Sequence, residues 1–107
     1  MNNMRIVLCD DKTDRLWVNV EAKVSNGCLK ISGQDLGKAV EDYFGEDEYE
    51  YFYDFDQENT ERLFALLSHE GQNVKDIFIQ KFSGIDGCRA LREFCDANEV
   101  KYKFFSC

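Results

Sequence analysis

Three carboxylates at alternate positions, Asp54, Asp56 and Glu58, have the spacing that opens a calcium-binding loop. Alternate side chains of that kind can direct their oxygens at one hard cation. The rest of the pattern is missing, because Asn59 stands where the loop needs glycine and Ala65 where it uses a bidentate glutamate. We therefore interpret Asp54 as a strand-end group and Asp56 as a helix cap, and we predict no metal site.

The chain also contains five cysteines and one histidine, the residue types of a thiol nucleophile and its base. The cysteines are odd in number and form no C-x-x-C, so neither a disulfide framework nor a zinc site is indicated. His69 belongs to no local signature that pairs it with a cysteine. Cys88 and Cys95, seven apart on a predicted helix, share one face and are interpreted as core residues, while Cys107 is open to oxidation. Because no nucleophile, base and orienting group can be assembled, we expect a non-enzymatic protein without a cofactor.

Acidic residues are concentrated between Ala39 and Arg62, where ten carboxylates occur with seven aromatic residues and no lysine or arginine. The net charge of the chain is −8, so this segment accounts for all of the net negative charge. Aromatic residues at this density exclude a disordered acidic tail, and we expect a folded, negative, aromatic surface. Such a surface suits a basic protein partner and repels nucleic acid and anionic membranes.

Hydrophobic periodicity predicts the elements that position these residues. An apolar run from Met4 to Cys9 and the alternating stretch from Leu16 to Val24 are typical of strands. Asn26-Gly27 predicts a type I′ hairpin turn, after which Cys28 to Ile31 forms the partner strand. If the valines of the second strand face the core, Trp17 points to the opposite side, where it is either covered by a helix or left as a contact anchor.

The middle of the chain combines one strong strand signal with helix caps. Ser32 to Asp35 resembles a capping box with Asp in place of Glu, which predicts a helix from there to a left-handed cap at Gly45. Glu48 to Phe55 alternates regularly and is the clearest strand; its three tyrosines share one face, which either packs against a helix or forms an interface. Asp56 is expected to cap a further helix that stops at Gly71.

The last third predicts two more helices and a closing strand from Val100 to Phe105. This order favours an α+β fold, with a mainly antiparallel sheet and about four helices packed on it. Residues 1–107 have the length of a single globular domain. Without an N-terminal signal pattern or an apolar run of membrane-spanning length, we expect a cytoplasmic protein.

Two segments resemble response-regulator receiver domains. Residues 4–11, which end in Asp10 and Asp11, are similar to the first strand and acidic pair of that family, and residues 83–87 are similar to the loop after its phosphorylated strand. The resemblance implies a parallel sheet with crossover helices. The family's spacing puts Ile79 where its phospho-accepting aspartate belongs, so an active receiver is not expected. A degenerate receiver, or another intracellular regulatory domain, stays open as an alternative.

A second resemblance covers most of the chain. Residues 29–37, 48–51, 82–84 and 102–106 resemble segments of small acidic bacterial proteins that are associated with polymorphic-toxin immunity loci. The resemblance implies a cytosolic, non-enzymatic protein that neutralises a basic nuclease-type toxin by covering its cleft or a neighbouring surface. A nucleic-acid mimic that blocks a DNA-binding protein is a third alternative.

On this interpretation, carboxylates supply a steering field and aromatic residues act as anchors that slow dissociation. The predicted field residues are Glu46, Asp47, Glu48, Glu50, Asp54, Asp56 and Glu58, and the predicted anchors are Tyr51, Phe52 and Trp17. The sequence identifies neither the partner nor the oligomeric state.

Overall fold

The computed structural model describes residues 3–45, 47–68 and 73–106. The predictions that concern Glu46, His69, the helix stop at Gly71 and Cys107 lie outside the described residues.

Five strands form one sheet in the order of the chain, and every neighbouring pair is antiparallel. The strands are β1 (Met4–Lys12), β2 (Trp17–Ser25), β3 (Cys28–Leu36), β4 (Glu48–Asp54) and β5 (Lys103–Ser106). The helices are α1 (Lys38–Phe44), α2 (Gln57–Leu67), α3 (Val74–Phe82) and α4 (Gly87–Ala97). The predicted α+β fold with a mainly antiparallel sheet is confirmed. An antiparallel sheet in chain order is not the parallel architecture that the receiver resemblance implies.

The hairpin between β2 and β3 turns where the sequence predicts. Asn26 and Gly27 have φ angles of 55° and 78°, and Ser25 pairs directly with Cys28. Both central residues have the positive φ of a type I′ turn, which matches the right-handed twist of the strands. The turn thereby fixes which residues of β2 and β3 lie opposite one another.

The predicted helix start at Ser32 to Asp35 is wrong. These residues belong to β3, which pairs with β2 on one side and with β4 on the other as far as Leu36. Pairing with β2 and β4 satisfies the backbone N–H and C=O groups on both sides of β3. This pairing, rather than the local capping pattern, determines the structure of the segment. Helix α1 begins only after Gly37, and it ends as predicted at Gly45, whose φ of 84° is left-handed.

The predicted cap of α2 is confirmed, because the Asp56 side chain accepts a hydrogen bond from the Asn59 amide at 2.8 Å. Helix α2 is also tied to the sheet through Thr60, which is fully buried. Its Oγ1 accepts from the Leu29 amide at 2.9 Å and donates to the Asp56 carbonyl at 2.7 Å. The closing strand is shorter than predicted and covers Lys103–Ser106 only.

The core lies between one face of the sheet and the helices. Alternate residues of β2 and β3 are buried there, and helices α2, α3 and α4 contribute apolar side chains against them. Cys95 is fully buried, as the sequence predicts, and Cys88 packs half-buried against the core. The fully buried helix residues of this core include Leu63, Leu67, Phe78 and Leu91.

Candidate protein-binding face

The second face of the sheet carries the exposed and half-exposed side chains. Trp17, Asn19, Glu21 and Lys23 of β2 alternate with the buried valines and alanine of the same strand. We call this side of the sheet the open face. The strand register arranges its side chains in four rows that cross the strands, and the rows differ in charge.

The two rows nearest the start of β4 contain three carboxylates and one cation, Lys12, which pairs with Trp17 in the same row as Glu48. Glu48 lies across from Leu36 and Trp17, and Glu50 lies across from Gln34, Asn19 and Asp10. The Gln34 amide donates to Glu48 at 2.7 Å. We call Asp10, Glu48, Glu50 and Trp17 the acidic end of the open face.

Trp17 is half-buried at this end. Its indole Nε1 donates to the Asp10 carboxylate at 2.7 Å, and the ammonium of Lys12 lies 5.3 Å from the ring centroid. These contacts fix the orientation of the indole while part of its surface stays open to solvent. An orientation fixed in advance lowers the entropic cost of using the ring as a contact anchor.

Glu48 and Glu50 are two residues apart on one strand, so their side chains project from the same face. A hydrogen bond between the two carboxyl groups raises the pKa of Glu50. The same hydrogen bond, followed by the one from Gln34, lowers the pKa of Glu48. When both groups are ionised they repel each other, and a cation placed between them relieves that repulsion.

The row at the opposite end of the open face is basic. It runs Arg5, Lys23, Lys30, Asp54 and Lys103 across all five strands. Asp54 therefore lies between two lysines on neighbouring strands, which offset its charge. We call the four cations of this row the basic end; our sequence analysis did not identify it.

An aromatic pair separates the two ends. The rings of Phe52 and Phe105 are stacked with centroids 5.0 Å apart, and the ammonium of Lys30 lies 5.1 Å and 5.9 Å from the two centroids. In the same row Glu21 is held by Arg5 in a two-point ion pair of 2.7 Å and 2.8 Å. That hydrogen bond lowers the pKa of Glu21, and the ion pair offsets the charges of both Glu21 and Arg5 on the open face.

Tyr51 is not part of the open face. It points to the covered side of the sheet, where its ring lies over Gly33 and its hydroxyl donates to Asp35 at 3.3 Å. Burial raises the pKa of both Asp35 and Tyr51. Tyr53 is buried on the same side. The structure therefore separates Tyr51 from Phe52 and Trp17, which lie on the open face as expected.

The predicted carboxylates do not form one continuous surface. Asp47 is exposed just before β4, beside the acidic end, whereas Asp56 and Glu58 lie beyond the other end of that strand at the start of α2. Asp56 is occupied by the cap of α2, and hydrogen bonds from Asn59 lower its pKa. Of the predicted field residues within the described part of the chain, Glu48 and Glu50 lie at the acidic end and Asp47 immediately precedes it.

Within residues 3–45, 47–68 and 73–106 no cluster of histidine, cysteine and carboxylate side chains is arranged to hold a metal ion. No helix of these segments has both the length and the apolar character of a membrane span.

Comparisons with known proteins do not identify a family. The chain matches no protein-family model, and searches of curated proteins and of solved structures give no match. The function is therefore inferred from the chain's own geometry and from the resemblances described above.

Proposed function

We propose that this protein is a non-enzymatic binding module that uses the acidic end of its open face to dock a basic patch of a partner protein. The observation that carries the proposal is the placement of Glu48, Glu50 and a fixed, half-exposed Trp17 on one face. The two carboxylates supply attraction, and the indole on the same face supplies contact area.

The charge pattern of the open face also restricts how a partner can dock. The field of the acidic end reaches about 8–10 Å at physiological ionic strength, whereas the basic end lies two rows from Glu50 and three rows from Glu48, roughly 13 Å and 20 Å along the strands. A basic patch is therefore attracted to one end and repelled from the other. This arrangement selects a single orientation of the partner.

A nucleic-acid mimic is less well supported. Such a protein presents continuous negative charge, and on the open face four cations and two phenylalanines interrupt it. A compact acidic end next to an aromatic anchor fits a local basic patch on a protein better than a long nucleic-acid groove.

The more specific proposal is toxin immunity. The partner is then a basic, nuclease-type toxin, and the protein acts in the cytoplasm by covering the toxin's cleft or a surface beside it. The small size of the chain, its net charge of −8 and the sequence resemblance support this choice.

Affinity capture with matched bait variants tests the proposal. The baits are wild type, Glu48→Lys with Glu50→Lys, and the control Glu61→Lys with Glu93→Lys, which makes the same charge change at exposed positions of α2 and α4. We expect a basic protein that wild type and the control retain and the acidic-end variant loses. Co-expression of wild type should then protect cells from that protein.

Two outcomes contradict the proposal at different levels. If the control variant loses the partner as well, net charge rather than the acidic end determines binding. If the captured protein is basic but harmless to cells, the binding function stands and the immunity function fails.

A further inference from the structure

The two edges of the sheet differ in how they are protected from further strand pairing. Edge strand β1 carries a bulge, where the register shifts between Val7 and Cys9, and several exposed charged side chains. Both features discourage a second strand from adding to that edge. Edge strand β5 is exposed at all four positions, and its one charged residue is Lys103.

Edge strand β5 also exposes two adjacent phenylalanines. Phe104 is 49% and Phe105 is 42% exposed, although each ring contacts an aromatic ring of β4 at 5.0 Å between centroids. Because successive residues of a strand point to opposite faces, one ring lies on the open face and the other on the covered side. Both faces of the sheet therefore have exposed apolar surface at the β5 edge.

A groove of about 980 Å³ runs beside β5 on the covered side. Phe104 and Tyr102 line it together with residues of α2 and α4, among them Arg62 and Asp96. A strand added to this edge would have its covered-side residues at the mouth of this groove, next to Phe104.

We propose that a second copy of this chain pairs with β5 in antiparallel orientation, so that the two sheets join edge to edge. In this twofold arrangement, residues that face each other must point to the same side of the joined sheet. A register centred on Phe104 meets this condition. It stacks Phe104 on Phe104 of the second copy and places Lys103 beside Phe105 of the second copy.

The composition of the strand favours a second copy over another partner. On the open face its pattern is self-complementary, since the lysine of each copy meets a phenylalanine of the other and no two lysines oppose one another. Lys30 already makes the same kind of cation–aromatic contact with Phe105, at 5.9 Å. The dimer repeats this contact from the other side of the ring.

The size of the contact sets its expected strength. A four-residue edge with two aromatic side chains buries less than the roughly 800 Å² per partner of a standard stable interface. We therefore expect a concentration-dependent dimer. Strand β5 pairs with Tyr51 to Asp54 of β4, so Glu48 and Glu50 are not paired with it, and the dimer does not depend on the proposed function.

Sedimentation velocity under reducing conditions, from about 10 μM to about 1 mM protein, tests the dimer. We expect wild type to dimerise with rising concentration, and Phe104→Lys to dimerise about tenfold more weakly or not at all. Ile85→Lys, at another exposed apolar position, is the control and should behave as wild type. Thermal melts establish that each variant is folded.

A disulfide experiment tests the register. In a background with Cys28→Ser and Cys107→Ser, Phe104→Cys should form a covalent dimer on mild oxidation, because directly opposed antiparallel residues have Cα atoms about 4.5–5.5 Å apart. Ile85→Cys should not. Wild type that stays monomeric throughout overturns the proposal. Unchanged dimerisation by folded Phe104→Lys, or no covalent dimer through position 104, overturns pairing about Phe104.

Discussion

Gly33 makes room for the ring of Tyr51 on the covered side of the sheet, and the alternation of β4 places the neighbours of Tyr51 on the open face. A Cβ atom at position 33 would lie 2.0 Å from Cε2 and 2.2 Å from Cζ of that ring. Gly33→Ala should therefore displace the ring and break its hydrogen bond to Asp35. Overpacking costs about 1–3 kcal/mol and the lost hydrogen bond about 1 kcal/mol, offset by about 0.5–1 kcal/mol from replacing a strand glycine. We expect a net loss of about 1–3.5 kcal/mol.

A double-mutant cycle with Tyr51→Ala isolates this effect. Once the ring is removed, Gly33→Ala should be neutral or should stabilise the fold by up to about 1 kcal/mol, so the coupling between the two sites is about 2–4 kcal/mol. Urea unfolding followed through Trp17, the single tryptophan, measures all four proteins. An equal cost of Gly33→Ala in both backgrounds would refute the proposed packing.

Three further predictions concern the core and its titratable groups. Thr60→Val should cost about 1–3 kcal/mol in urea unfolding because it leaves the Leu29 amide without its acceptor, while Thr60→Ser should retain that acceptor and cost less. Burial raises the pKa of Asp35, so its stabilising contribution is present below its unfolded pKa and is lost as pH rises through its folded pKa. Asp35→Asn should therefore gain stability relative to wild type as the pH rises from the usual carboxyl pKa of 3.8 through the raised pKa of the folded state, and a constant difference would contradict this. Exposed Cys28 should be alkylated before Cys95, whose pKa burial raises to about 12; mass-spectrometric mapping that finds the reverse order would contradict the described burial.

The sequence predicts the fold where the signals are local. The Asn26-Gly27 turn fixes the hairpin register, and this register already places Lys23 opposite Lys30. Lys23 and Lys30, half of the basic end, were therefore predictable from the turn. Arg5 and Lys103 join this row only because β1 pairs with β2 and β5 pairs with β4. No local sequence pattern indicates those pairings.

Two details of the site were beyond prediction for physical reasons. The bulge in β1 shifts the alternation of side chains, and only that shift turns Asp10 outward to meet Trp17. Strand β3 continues through Ser32 to Asp35 because it pairs with both β2 and β4 there. The capping pattern behind the wrong helix prediction involves only neighbouring residues and does not show this pairing. In both cases tertiary pairing overrides the local signal.

We propose that the acidic end steers a basic partner to the open face. Stopped-flow association of the captured partner with wild type, with Glu48→Lys plus Glu50→Lys, and with Glu61→Lys plus Glu93→Lys tests it most directly at low and high salt. We predict association at least about tenfold slower for the acidic-end variant at low ionic strength, a smaller difference near 0.5 M salt, and a nearly unchanged rate for the helix control. Equal association rates for wild type and the acidic-end variant at low salt would show that the partner docks elsewhere.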